Sequence, residues 1–188
     1  MQFRGRLRGF FPTIRRGVLG AIEYGAKLVP GVAVATAVES LNPNGMPAAF
    51  VVLTIADRDG NWSSTMVQNV VNKLLEFRVG GIPVATQGGI PTYQAVVWRP
   101  GYRPGIDEMQ AQNRLRMVTV AVSQFLPPGP DKGILYRANL LAAARTVPGL
   151  VLTDDGVSSS LQIPAGDVIP ATLQQTIRVR PQDVTIIA

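Results

Sequence analysis

The sequence predicts an α+β chain of two small lobes, and three observations carry that prediction. Segments with apolar residues at helical spacing alternate with short β-branched runs. A Val-Pro-Gly junction follows a helical pattern and precedes a strand pattern twice, at Val29-Pro30-Gly31 and at Val147-Pro148-Gly149. Between them lies Arg99-Pro100-Gly101-Tyr102-Arg103-Pro104-Gly105, whose prolines lack the amide donor and bias their predecessors away from helix. This reads as a linker free of regular structure. The expected organisation is a basic arm at residues 1–12, a first lobe at 13–99, a linker at 100–106 and a second lobe at 107–188.

In the first lobe, Val18, Leu19, Ile22, Ala26 and Val29 mark a helix over about 15–29, stopped by Pro30-Gly31. A strand at 32–38 turns through Asn42-Pro43-Asn44-Gly45, residues that tolerate positive φ, into a return strand at 50–56. Asp57-Arg58-Asp59-Gly60-Asn61 turns the chain again, and Thr65 with Gln68 has the form of a capping box. Val67, Val70, Val71, Leu74 and Leu75 stripe a second helix ending at Gly80-Gly81, and extended segments follow at 82–86 and 93–98. The order α-β-β-α-β lets two helices cover one face of an antiparallel or mixed sheet, a ferredoxin-like arrangement.

The second lobe repeats the theme. Met117 to Val122 alternates as a strand, and Pro127-Pro128-Gly129-Pro130 leads into a helix at 131–147 with Ile134, Leu135, Ala138, Leu141 and Ala142 on one face. After Val147-Pro148-Gly149-Leu150 a strand begins, Asp155-Gly156 makes a hairpin turn, and the tail offers strands at 161–163, 175–179 and 184–187. The two helix–Val-Pro-Gly–strand units read as a duplication.

Composition removes much chemistry. The 188 residues include no cysteine and no histidine, so zinc–thiolate sites, thiol nucleophiles and serine–histidine relays are excluded, and any metal site needs oxygen ligands alone. Charged residues are 16% of the chain against 46% hydrophobic; a free-standing domain usually carries about 25% charged residues. Much of this surface is therefore expected to be covered by neighbours. The net charge of +6 is concentrated at one end, with +5 in residues 1–27 and +1 in the remainder. No uninterrupted apolar run follows Arg15-Arg16, so an export signal does not fit, and no stretch has the length of a membrane span.

No catalytic or cofactor-binding set emerges from the motifs. Asp57-x-Asp59-Gly60-Asn61 resembles the start of a calcium loop, but its glycine is fourth and Gln68 stands where the bidentate Glu belongs. Gly80-Gly81 and Gly88-Gly89 form no phosphate loop, and Ser158-Ser159-Ser160 has no base and reads as an exposed hairpin edge. Asp107-Glu108 and Asp154-Asp155 are adjacent pairs that diverge in direction, unsuited to shared acid–base work. Aromatic residues, 6% of the chain, are not interleaved with the arginines as single-strand nucleic-acid binders require. The candidate sites are instead protein-interface residues: Arg4, Arg6, Arg8, Phe10, Phe11, Arg15 and Arg16 of the arm, with Trp98 and Tyr102 beside the linker. A nucleic-acid-binding role for the arm is the weaker alternative.

The helix–Val-Pro-Gly-Val–strand unit (Ala26 to Val38), the helix end Phe77-Arg78-Val79-Gly80-Gly81-Ile82-Pro83-Val84, the Val147-Pro148-Gly149-Leu150 repeat and the tail Ile163-Pro164-Ala165-Gly166-Asp167-Val168-Ile169-Pro170 resemble the baseplate J-like proteins. These are wedge subunits of contractile phage tails. Family members often carry a longer β-rich N-terminal part, so this chain looks like a minimal version. The resemblance implies a non-enzymatic virion subunit, assembled in the host cytoplasm, that holds the baseplate together and relays its conformational change to sheath contraction. It implies as partners other copies of the chain and other wedge, hub and sheath-initiating proteins, with no cofactor, small-molecule substrate or membrane. A different tail or neck protein is the alternative, and the linker is expected to act as a hinge.

Overall fold

A computed structural model describes residues 18–41, 47–75, 83–153, 160–163 and 166–187. Helix α1 (Val18–Lys27) buries Ile22 and Ala26, one turn apart, and carries Lys27 in its last turn, where a cation suits the helix dipole. Strands β1 (Val34–Leu41) and β2 (Pro47–Ala56) pair antiparallel with Ala35 opposite Ile55 and Ala37 opposite Leu53. The period of two puts Ala35, Ala37, Val51, Leu53 and Ile55 on one face, where they pack with Ile22, Ala26, Val70 and Leu74. The expected turn at 42–45 and the helix stop at Gly80-Gly81 lie outside the described residues.

Helix α2 (Ser64–Leu74) is capped by Ser63, whose hydroxyl accepts from the Met66 amide at 3.1 Å. This corrects the Thr65–Gln68 capping box. The Asp57 turn closes on Asn61, so the chain is still extended at Ser63, and Thr65 is already helical. Strand β3 (Val84–Gly88) joins β2 in parallel, Val51 opposite Val84 through Ile55 opposite Gly88. The two helices and the mixed sheet are as expected, and the topology narrows the ferredoxin-like reading. The crossover β2–α2–β3 joins adjacent strands, whereas the ferredoxin-like motif inserts a strand between them.

The remaining elements are β4 (Ile90–Tyr93), β5 (Val96–Trp98), β6 (Gly101–Tyr102), α3 (Glu108–Gln124), α4 (Arg137–Ala144), β7 (Leu150–Val151), β8 (Leu161–Gln162), β9 (Gln175–Arg178) and β10 (Val184–Ile186). They form sheets β10-β5-β8, β4-β9 and β6-β7 around a second core of Val96, Trp98, Leu115, Leu135, Leu140, Leu161, Ile177 and Val184. The tail strands fall where the alternation put them.

Four expectations change here. The packing divides near Gly88-Gly89 and not at residue 99, because β4 pairs with β9 and both Val96 and Trp98 sit in the second core. The stretch read as unstructured linker contains β6, which pairs with β7, and Arg103 donates to Gly149. Residues 117–122, read as a strand, belong to α3. Asp107 caps that helix by accepting from the Gln110 amide, and its buried stripe is Ala111, Leu115, Thr119 and Ser123. The helix read over 131–147 is shortened to α4. Leu135 exchanges two backbone hydrogen bonds with Val168, which holds 131–136 out of helix, and Asp167 accepts from the Arg137 amide to start the helix at 2.8 Å.

The Val-Pro-Gly junctions do repeat in space. Each follows a helix, buries its valine and bends at a glycine with positive φ, +92° at Gly31 and +82° at Gly149, before a strand. Such φ values favour glycine because it lacks Cβ.

The second lobe meets the first both on the second face of the first sheet, where Thr36, Thr54 and Ala56 are buried, and at α1. Gln87 donates to the Thr54 hydroxyl at 2.9 Å and accepts from Gln174 at 2.6 Å. Lys132 pairs with Glu23, whose carboxylate also accepts the Ala37 amide.

Candidate interaction surface

The turn after β2 is built by Asp57. Its carboxylate accepts the Asp59 amide at 2.9 Å and the Asn61 amide at 2.8 Å, and Gly60 takes φ +86°. Both amides converge on one carboxylate oxygen, Oδ1, which shapes the turn. Its carbonyl edge faces the second lobe.

There it meets Arg178, which is only 2% exposed. The guanidinium donates to the carbonyls of Arg58 (2.9 Å), Ser123 (2.9 Å), Leu126 (3.0 Å) and Ile177 (2.8 Å), and more distantly to Asp57 (3.4 Å). One planar fork therefore joins the first-lobe turn, the carbonyls of Ser123 and Leu126 at and just after the end of α3, and β9. Burial pulls its pKa down to about 10, partly offset by the charges of Asp57 and Asp59. Arg178 was not singled out from the sequence. The signal available was a lone cation in the run Thr176-Ile177-Arg178-Val179, buried at every position, with no acidic neighbour in the strand.

Two further arginines lie over aromatic rings at the surface. Arg180 sits 3.8 Å from the Tyr93 centroid and makes a two-point contact with Asp183 (2.8 and 2.9 Å), which holds the Asp183 carboxyl below its ordinary value. Arg58 lies 5.6 Å from the Phe125 centroid. Around them three concavities of about 520, 390 and 310 Å³ run together, sharing Arg58 and Asp59 at one junction and Val120, Gln124 and Pro181 at the next. The trough begins at Gly31–Ala33 of the first lobe and ends against Arg116, Met117 and Ala121 of α3. Phe125 on its wall is 60% exposed and Met117 at its end 71%.

The sequence-derived interface residues fare differently. Arg4, Arg6, Arg8, Phe10, Phe11, Arg15 and Arg16 lie outside the described residues. Trp98 is a correction: it is fully buried, with its indole N–H donating to the Thr119 hydroxyl at 3.0 Å, so it anchors the second core. Tyr102 is half-buried in β6 beside Leu150, its hydroxyl enclosed without a hydrogen-bond partner among the described residues. Ser160 is another correction. Read as an exposed edge, it is buried and bonded to Thr153, accepting its amide at 2.9 Å. Ser158, Ser159, Asp154 and Asp155 lie outside the described residues.

Among the described residues no three acidic side chains gather in a way that could hold a metal ion, and no helix is long and apolar enough to cross a membrane. What the arrangement can do chemically is bind: it offers aromatic faces, arginine donors and an apolar groove in one continuous depression.

No family model matches the chain, and no curated protein matches it. Among solved structures, the chain is similar to one in the cryo-EM structure of the anti-feeding prophage (AFP) baseplate, 6-fold symmetrised. The identity is 10% and the TM-score 0.47, over 84% of this chain and 36% of that one. The chain thus spans about a third of that neighbour's length.

Proposed function

We propose that this chain is a structural subunit of a contractile phage tail baseplate, a wedge or ring component that binds neighbouring subunits and passes their rearrangement to the sheath. The observation that carries the reading is the exposed apolar surface. Sixteen large apolar side chains among the described residues are more than a third exposed, in a chain with 16% charged residues. Met117 and Phe125 among them border the trough, and interfaces between subunits are depleted in charge and enriched in aromatics and Met. The motif order around the two Val-Pro-Gly junctions, which the fold reproduces as two glycine-bent helix-to-strand corners, supports the baseplate assignment. The basic arm is the element proposed to reach a neighbour.

The polar contacts between lobes fit the relay. Around the buried Arg178, such an interface is held by Gln87 and the Glu23–Lys132 pair, contacts that can be exchanged for water or a partner at lower cost than a dry core. The test is an electron-microscopy map of assembled particles carrying a tagged version of this chain. Density for the tag in the baseplate ring supports the proposal; density at the neck, or none in the particle, refutes it.

A further inference from the structure

We infer that the α3 end of the trough receives the opposite end of the same helix from a second copy, giving a head-to-tail contact between subunits. This rests on the assembly reading above and adds its geometry. The two most exposed large apolar side chains among the described residues, Met109 at 73% and Met117 at 71%, both lie on α3. Their surroundings are complementary. Met109 follows Asp107 and Glu108, both exposed, with exposed Ile106 before them. Met117 borders the groove of about 310 Å³ formed with Val120, Ala121 and Pro181, and Arg116 lines the same groove. The adjoining concavity adds the exposed Arg58 beside Asp59; its Arg180 is paired with Asp183 and its Arg178 is buried on backbone carbonyls. One end therefore offers carboxylates beside a methionine, and the other offers Arg116, with Arg58 beyond it, beside a methionine-sized apolar slot. Arginine and carboxylate give strong paired hydrogen bonds, and methionine adapts to irregular grooves.

The two ends cannot meet within one molecule. Glu108 and Val120 are twelve residues apart on one helix, about 18 Å along its axis. Made once between two copies, not reciprocally, this contact is heterologous, so it propagates and closes into a ring when the rotation between copies allows.

The experiment measures self-association of the full chain by sedimentation velocity at up to about 100 μM. The edge variant combines Glu108→Gln with Met109→Ser, and the groove variant combines Arg116→Gln with Met117→Ser. All four side chains lie at the surface, and an unchanged urea midpoint confirms that each variant folds. The wild type is expected to form species above the monomer that weaken with salt, and each variant alone is expected to bind at least about tenfold more weakly. Mixed together, the variants retain one native edge and one native groove, so they should form a 1:1 dimer and nothing larger. A monomeric wild type, variants that associate like wild type, or a mixture that stays monomeric each overturns the inference. Because localisation of the tagged chain in particles is independent of these outcomes, loss of this contact leaves the baseplate reading to its own test.

Discussion

Replacing Arg178 with methionine removes a cation from a site where it is nearly inaccessible and where four carbonyl oxygens lie within 2.8 to 3.0 Å of it. Hydrogen bonds from a charged donor contribute about 1.5–3 kcal/mol each. Against this stands the cost of burying the charge. A pKa pulled down to about 10 from the usual arginine range corresponds to about 3 kcal/mol in favour of the neutral form. The donors win, and Arg178→Met is expected to cost about 3–5 kcal/mol, the range for breaking a buried charged arrangement by removing one partner. Urea unfolding reads this as a midpoint lower by about 2 M for a slope near 2 kcal/mol/M. Arg178→Lys supplies the control. An ammonium keeps the charge but cannot span the Arg58 carbonyl and the Ser123–Leu126 carbonyls, so most of the loss should remain. Hydrogen exchange should quicken at the Asp57–Asn61 turn and at the end of α3 together. A midpoint within about 0.5 M of wild type for Arg178→Met, or full restoration by lysine, would refute the claim that this fork ties the lobes.

The other predictions concern single contacts. Alanine at Gly149 places Cβ 2.5 Å from Ile106 Cγ1 at a positive φ, whereas at Gly31 it meets only Met66 Cε at 3.4 Å. Both changes carry backbone strain of about 1 kcal/mol, and Gly149→Ala should cost at least about 1 kcal/mol more in thermal unfolding; equal costs would contradict the close approach. Thr119→Val keeps the shape but strands the Trp98 indole N–H, so it should destabilise by about 1–3 kcal/mol, and a neutral result would mean the bond is immaterial. The Asp183 carboxyl lies below its ordinary value of 3.8, chiefly through its bond from Arg180. A lowered folded value gives stability that is present above pH 3.8 and lost as pH falls through the folded pKa. The gap between wild type and Asp183→Asn should therefore be constant near neutrality and narrow as pH falls below 3.8, and a gap that did not narrow at all in acid would contradict the pairing.

What was legible in the sequence, and what was not, follows from how each element is held. The β1–β2 hairpin and α1 were readable because their buried faces are apolar and periodic: Ala35, Ala37, Val51, Leu53 and Ile55 alternate, and Ile22 and Ala26 repeat at helical spacing. The glycine corners were readable because proline and glycine act locally. The capping of α2 was displaced by only two residues, since the hydroxyl of Ser63 or of Thr65 has the right chemistry and tertiary closure of the Asp57 turn chooses. The arm residues proposed for an interface lie beyond what the structure describes, and the trough was invisible because its walls come from segments up to about 150 positions apart.

The misread strand at 117–122 and the misassigned Trp98 are one error with one cause. Helix α3 turns a stripe of Ala111, Leu115, Thr119 and Ser123 toward the second core, and two of these four residues are polar. Thr119 donates to the Leu115 carbonyl at 2.7 Å and accepts the Trp98 N–H, while Ser123 accepts the Val179 amide and lends its carbonyl to Arg178. Polar residues stand on the buried face because the groups packed against it, an indole and a strand edge, bring donors that need acceptors. With the stripe interrupted, the stronger local pattern was Val118, Val120 and Val122, whose alternation mimics a strand although they flank the buried face of a helix. A tryptophan before a proline–glycine stretch then has no visible partner and reads as an exposed anchor. Once Thr119 is assigned to a helix, the indole has its acceptor, and the surface left for a neighbour moves to Met117 and Phe125 at the edge of the trough.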